Sequence, residues 1–227
     1  MSELVTAVAL VEGPSEQIFI KNLVAPHLAT RNILLTPIVI SKPGQKGGDV
    51  RFERVINDIE LHLKQRPDTY LTLFLDYYGI KGEWPGLAES LRLPTPAAKA
   101  SHFGQSTSSV IVSRFGEYRP AERFIPYVSM HEFESLLFSS PEILAANLRV
   151  KPEAITQILN TCGQPEAINS SRESAPSKRL DAFCAPSRFK KTTSGISIAS
   201  SIGLPRIREA CPLFNAWITR LETLTAI

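Results

Sequence analysis

The sequence predicts an α/β fold: a mostly parallel, Rossmann-like sheet flanked by helices, with a helical cap made from the C-terminal third. Three observations carry this. Short continuous apolar runs at 4–11 (LVTAVALV), 33–40 (ILLTPIVI) and 70–75 (YLTLFL) have the length and composition of strands, the first with the pattern of one buried on both faces. Segments of helical periodicity separate them. Beyond about Pro141 the strand signal disappears. Strands alternating with helices favour parallel pairing through right-handed crossovers.

In chain order, the run 4–11 stops at Glu12-Gly13-Pro14 and reads as a central strand. Pro14 suits a first helical turn, and Ile18, Phe19, Leu23, Val24 and Leu28 recur at helical spacing. Pro37 demotes the run 33–40 to an edge or irregular strand, because proline cannot donate to a ladder. After the loop SKPGQKGGD, residues 50–64 place Phe52, Val55, Ile56, Ile59 and Leu63 on one helical face, and Pro67 ends the segment. The third strand, 70–75, stops at Asp76. A fourth, 123–130 (RFIPYVSM), alternates weakly and runs into His131-Glu132-Phe133-Glu134, which opens a helix. Short helical pieces at 141–148, 152–159, 177–183 and 213–224 complete the chain, with a polar loop at 169–178. The expected division is an α/β domain over 1–140 and a helical extension over 141–227 packed on it.

Composition limits the function classes. With 43% hydrophobic and 21% charged residues and a mean hydropathy of -0.02, the 227-residue chain is neither disordered nor fibrous. A chain of this length buries roughly 70% of its unfolded surface, so a metal would serve chemistry and not mere folding. No apolar run approaches the roughly 18 residues of a membrane span, and 4–11 lacks a basic leader and a cleavage site; no membrane association and a cytoplasmic location are expected. Cys162, Cys184 and Cys211 are odd in number and far apart, which suggests neither a disulfide framework nor a zinc knuckle. A net charge of +3 and a pI near 8.8 permit nucleic-acid contact without marking a dedicated basic module.

Acids stand at the carboxyl ends of three expected strands: Glu12 after the first, Asp76 after the third, Glu132 and Glu134 after the fourth. In open parallel sheets that edge binds ligands. Converging carboxylates repel one another unless a cation neutralises them, and hard oxygen donors suit Mg²⁺ or Mn²⁺. Taken singly, each acid could equally be a solvated loop charge or a helix N-terminal charge, a reading that is stronger for Glu16, inside the first helix. Glu132 and Glu134 point about 200° apart on a helix. Glu134 is preferred for the site, since Leu137 and Phe138 at helical spacing face inward. Tyr78, two residues after Asp76, could position water, stack on a base or simply pack. His131 is a candidate base or ligand, or a hydrogen-bonded structural histidine.

The segments VEGPSEQIFIKNLVAPHL, LFLDYYG, MHEFESLLF, ESAPSKRL and CPLFNAWITRLE, spread from Val11 to Glu222, together resemble the domain of unknown function 4276 family, whose N-terminal part is similar to the Toprim fold. Toprim domains of topoisomerases, bacterial primases, recombination proteins and overcoming-lysogenization-defect nucleases bind Mg²⁺ for phosphodiester chemistry. Their glutamate after the first strand corresponds to Glu12 and the first residue of their Asp-x-Asp to Asp76. Tyr78 stands where the second aspartate would be, and Glu134 is the acid placed to replace it. The resemblance also implies an ABC-like or AAA ATPase partner in a phage-defence or DNA-repair setting. The chain's own GQKGG, 44–48, lacks the G-x-x-x-x-G-K-[ST] order of a P-loop.

These readings converge on a Mg²⁺- or Mn²⁺-dependent nuclease acting on DNA or RNA, either as a monomer or as a homo-oligomer. Glu12, Asp76 and Glu134 are its expected metal ligands, with a metal-bound water as nucleophile. Glu12, Asp76 and Lys178 are its expected catalytic residues. Lys42, Lys46, Arg179, Lys190 and Lys191 are candidate nucleic-acid contacts, with the Gly47 and Gly48 amides open to a phosphate. Arg188, Arg206 and Arg208 extend a basic group interleaved with Phe183 and Phe189, which could track a backbone or be an ordinary charged surface. The competing expectation is a non-catalytic module that binds nucleic acid or the ATPase.

Overall fold

In the computed structural model, which describes residues 3–41, 50–168 and 174–227, the first apolar run is strand β1 (Val5–Val11). Its side chains alternate between two buried faces, Ala7, Ala9 and Val11 on one and Val8 and Leu10 on the other, as a continuous apolar run requires. Helix α1 (Pro14–Phe19) continues through a π-turn (Ile20–Val24) into α2 (Ala25–Ala29). Pro26 has no N–H, and its ring crowds the carbonyl four residues back. The wider turn, in which the Ala25 amide reaches the Ile20 carbonyl, lets the helix pass through.

Strand β2 (Ile33–Val39) lies at the sheet edge with Pro37 opposite Ala9, where the missing donor is tolerated. The expected helix 50–64 begins two residues later. Val50–Arg51 is a short strand, β3, and α3 (Phe52–Gln65) follows. Strand β4 (Thr69–Asp76) leads to β5 (Ile80–Lys81), which pairs with β3. Then come α4 (Leu87–Ser90), the 20-residue α5 (Pro96–Phe115) and α6 (Pro120–Arg123). The weak run 123–130 is not one strand. Pro126 splits it into β6 (Phe124–Ile125) and β7 (Val128–Ser129), which pair with successive stretches of β4.

The helical C-terminal third contains α7 (Pro141–Leu148), α8 (Pro152–Cys162), α9 (Pro176–Cys184), α10 (Ile196–Ile202), α11 (Leu204–Ala210) and α12 (Pro212–Glu222). The parallel sheet runs β2-β1-β4-β6, with β7 also on β4. Helices α3 and α5 cover one face; α1, α2 and the C-terminal helices cover the other. On that second face Tyr127 stacks on Trp217 at 4.8 Å, and the Trp217 indole donates to Thr72 Oγ1 at 2.9 Å, tying the last helix to the central strand. No helix among the described residues is long and apolar enough to cross a membrane.

Two buried charges are structural. The Arg123 guanidinium, 1% exposed, donates to the carbonyls of Leu63, Arg66, Thr69 and Tyr118, joining the end of α3 to the start of β4. Glu166, also 1% exposed, accepts the amides of Leu213 (2.9 Å) and Phe214 (2.8 Å) and so caps α12, while burial pushes its pKa up to about 7. Glu166→Ala strands both amides and is expected to cost about 2 kcal/mol, measured as a lowered urea midpoint.

Candidate active site

The chain passes from β1 outward to β2, then returns to the other side of β1 to lay down β4. The carboxyl ends of β1 and β4 therefore flank the point where the winding reverses, the crevice in which open α/β sheets bind ligands. Glu12 follows β1 directly, and Asp76 is the last residue of β4. Both line a cleft of about 590 Å³ together with Tyr78, Gly79, Lys81, Glu132, Lys178 and Lys191.

Asp76 is 8% exposed and its Oδ1 accepts the Phe133 amide at 2.8 Å, which fixes the carboxylate beside the turn that follows β7. Burial, then the charges of Glu16, Glu134 and Glu12, hold its pKa well above the usual carboxylate range, against an opposing pull from Lys191. Glu16, in the first turn of α1, is raised chiefly by burial, with Glu12 adding to it. Four acids thus form one negative centre: Glu12 and Asp76 face the cleft, and Glu16 and Glu134 stand behind them.

Glu134 is fully buried, and Lys191 Nζ lies 2.5 Å from its Oε1. Its Oε2 accepts no hydrogen bond among the described residues. Burial raises it to about 7, although Lys191 pulls the other way. Lys191 is accordingly the counter-ion of Glu134, with its side chain still 43% exposed where it lines the cleft. Sequence spacing could not reveal this, since the partner lies 57 residues away in another element.

The Glu12 carboxylate sits against Gly79, where an added Cβ would come within 2.2 Å of Oε2. DYYG therefore ends in glycine to admit Glu12, and its side-chain-free atom is as much part of the site as the acid. Gly79→Ala is expected to displace Glu12 and lower any metal-dependent activity at least about tenfold, with the fold retained by circular dichroism.

The remaining candidates fall into different roles. Glu132 accepts the Ser177 amide (2.9 Å) and hydroxyl (3.0 Å), so it caps α9 and docks it on the strand ends. His131 is buried against Tyr77 and Tyr78, with ring centroids 6.0 and 5.2 Å away, and burial lowers its pKa to about 4. It is a neutral packing partner and not a cleft-facing base. Tyr78 lines the cleft, its amide held by the His131 carbonyl at 3.1 Å. Lys178, the expected catalytic lysine, is exposed at the rim of the cleft. Arg179 donates to the Ser174 carbonyl (2.8 Å) and Arg208 holds Glu222, which engages these two within the protein, whereas Arg206, paired with Glu209 at 3.6 Å, stays exposed. Lys190 is exposed and lines a separate cleft with Arg188. Lys42, Lys46, Gly47 and Gly48 lie outside the described residues.

No group of three or more His, Cys, Asp or Glu side chains among the described residues is drawn together tightly enough to hold a metal ion by itself. The donors facing the cleft are nevertheless of the right kind. Mg²⁺ keeps several waters and is commonly bound through one or two carboxylates plus substrate phosphate oxygens. Glu12 and Asp76, backed by two further acids, fit that mode of binding.

Residues 11–222 match the family model described as a domain of unknown function, DUF4276. No curated protein and no solved structure matches the chain.

Proposed function

This chain belongs to the DUF4276 family, and from its site we propose that it is a divalent-metal-dependent nuclease hydrolysing phosphodiester bonds in DNA or RNA. The observation that supports this reading is the position of Glu12 and Asp76 on neighbouring parallel strand ends at the reversal of the sheet, with two more acids behind them and lysines at the rim. The same two acids carry the Toprim-like resemblance.

Glu12 and Asp76 would hold Mg²⁺ or Mn²⁺, which supplies an activated water and offsets charge on the phosphate when bound. Gly79 leaves the space that Glu12 occupies, and the Phe133 amide holds Asp76 in one orientation. Lys178 and Lys81 at the rim attract and orient the phosphodiester from the solvent side. Lys191 balances Glu134, which limits the repulsion that Asp76 must bear before substrate arrives.

The test is cleavage of supercoiled plasmid, single-stranded DNA and RNA with Mn²⁺ or Mg²⁺, alongside Glu12→Gln and Asp76→Asn. Cleavage lost in both variants is the expected result. The Glu134–Lys191 pair favours one other reading, a non-catalytic module that binds nucleic acid or a partner ATPase. Absence of cleavage together with absence of Mn²⁺ binding in calorimetry would replace the nuclease reading with that one.

A further inference from the structure

The basic run that contains Lys191 divides between two places. Lys191 turns into the acidic centre, while Lys190 and Arg188 line a second cleft of about 680 Å³ formed by the end of α7, the end of α9 and the start of the helical turn that leads into α10. Arg149, from the C-terminal end of α7, is the third cation of this cleft. None of Arg149, Arg188 and Lys190 forms an ion pair among the described residues, all three are exposed, and no Asp or Glu lines the cleft with them. Phe183, half-buried, contributes an aromatic wall, and four side-chain hydroxyls complete the lining.

Arg149 carries a further signal. It ends α7 in the left-handed region, φ 58°, a position where glycine is ordinarily favoured and a side chain is strained. The strained backbone there carries a guanidinium that forms no ion pair among the described residues.

Three uncompensated cations around one concavity call for a polyanion, hydroxyls add hydrogen bonds to oxyanions, and an accessible aromatic wall suits a planar ring. We propose that this cleft binds a nucleotide unit, with the phosphate on Arg149, Arg188 and Lys190 and the base against Phe183. The unit is either free or part of a single strand. As part of a strand it deepens the nuclease reading and rests on it, for Lys190 and Lys191 are consecutive and connect this cleft to the acidic centre.

The experiment measures binding of a short fluorescein-labelled single-stranded DNA to the whole protein by anisotropy across a salt series, with adenosine monophosphate as competitor. Arg149→Gly removes the guanidinium from a left-handed position that glycine prefers. It is expected to weaken binding several-fold while the melting temperature stays level or rises. Combining it with Arg188→Ser and Lys190→Ser is expected to weaken binding more than tenfold and to flatten the slope of log K against log salt by about 2. Competition by the mononucleotide at concentrations similar to the oligonucleotide's own identifies a free nucleotide as the ligand; retention of the oligonucleotide identifies a strand. Unchanged affinity for both probes in the triple variant overturns the proposal. Cleavage by the wild type and by the triple variant separates the two readings: binding that depends on the cleft without any cleavage by the wild type sinks the nuclease alone, and cleavage that the triple variant performs with unchanged affinity sinks the cleft alone.

Discussion

Asp76→Asn is expected to lower cleavage by at least about 10³-fold while leaving the protein as stable as the wild type, or more stable by about 1–2 kcal/mol at pH 8. The two halves of this result have one cause. Asp76 is buried among Glu16, Glu134 and Glu12, so its native pKa stands well above its unfolded value of 3.8. A carboxyl group of that kind favours the folded state most at low pH, and the contribution is lost as pH rises through the native value. Asparagine does not titrate and keeps what the aspartate loses, so the stability difference between variant and wild type grows from pH 5 to pH 8. The amide oxygen can still accept the Phe133 amide, now at 2.8 Å from Oδ1. Asp76→Ala cannot, and is expected to be less stable than Asp76→Asn by about 1–3 kcal/mol. Mn²⁺ should raise the melting temperature of the wild type and not that of Asp76→Asn. Urea titrations at the two pH values decide the matter: an Asn variant equally destabilised at both would mean that the four acids do not repel one another as described.

Lys191→Met is the second large effect. The Glu134 side chain is 0% exposed and that of Lys191 43% exposed, so only the acid is committed to the interior. With Lys191 present Glu134 titrates near 7, compared with 4.5 when unfolded. At pH 5 it is therefore largely neutral in the folded protein and gains little from the ammonium. At pH 8 it is ionised, and without Lys191 it must either bury an unpaired charge or hold a proton. The expected loss is about 2 kcal/mol at pH 8, below the 3–5 kcal/mol of a wholly buried pair because Lys191 is partly solvated, and under about 0.5 kcal/mol at pH 5. Adding Glu134→Gln to Lys191→Met should recover most of the pH 8 loss. An equal loss at both pH values, or no recovery in the double variant, would show that Lys191 acts through packing and not as the counter-ion of Glu134.

Much of the sheet is legible in the sequence. The runs 4–11, 33–40 and 70–75 match β1, β2 and β4 within a residue or two; β1 and β4 are legible because a strand buried on both faces must be apolar at nearly every position, and β2 keeps an apolar run although its edge position leaves Leu34 exposed. Pro37 restricts the second run to an edge or irregular strand, and the sheet order puts β2 at the edge. Helix α7 spans the expected 141–148, framed by Ser140 and Pro141 at its start. Helix α5 carries little apolar periodicity, because its Ser-, Thr- and Gly-rich sequence buries only Phe103, Thr107, Ile111 and Phe115. The one local signal was Thr95 before Pro96, a cap whose hydroxyl accepts the Ala98 amide.

The acids divide in the same way. Glu12 and Asp76 were visible because each ends an apolar run, and a strand's end is fixed by local pattern. The roles of Glu132, Glu134 and Lys191 were not visible, because each depends on where α9 and the turn before α10 settle against the strand ends. The place of Arg149 is hidden for the same reason: nothing around it in sequence shows that α7 ends beside Arg188 and Lys190.

What the sequence by itself determined is local: the period of its hydrophobic residues set the strands and several of the helices, and placed two carboxylates at strand ends. Only the tertiary structure decided which strand ends are neighbours and which charges are paired or left open. Strand order and helix docking arise from burying both faces of the sheet at once, a condition on residues far apart in the chain, 145 positions in the Thr72–Trp217 hydrogen bond, that no short window of sequence contains.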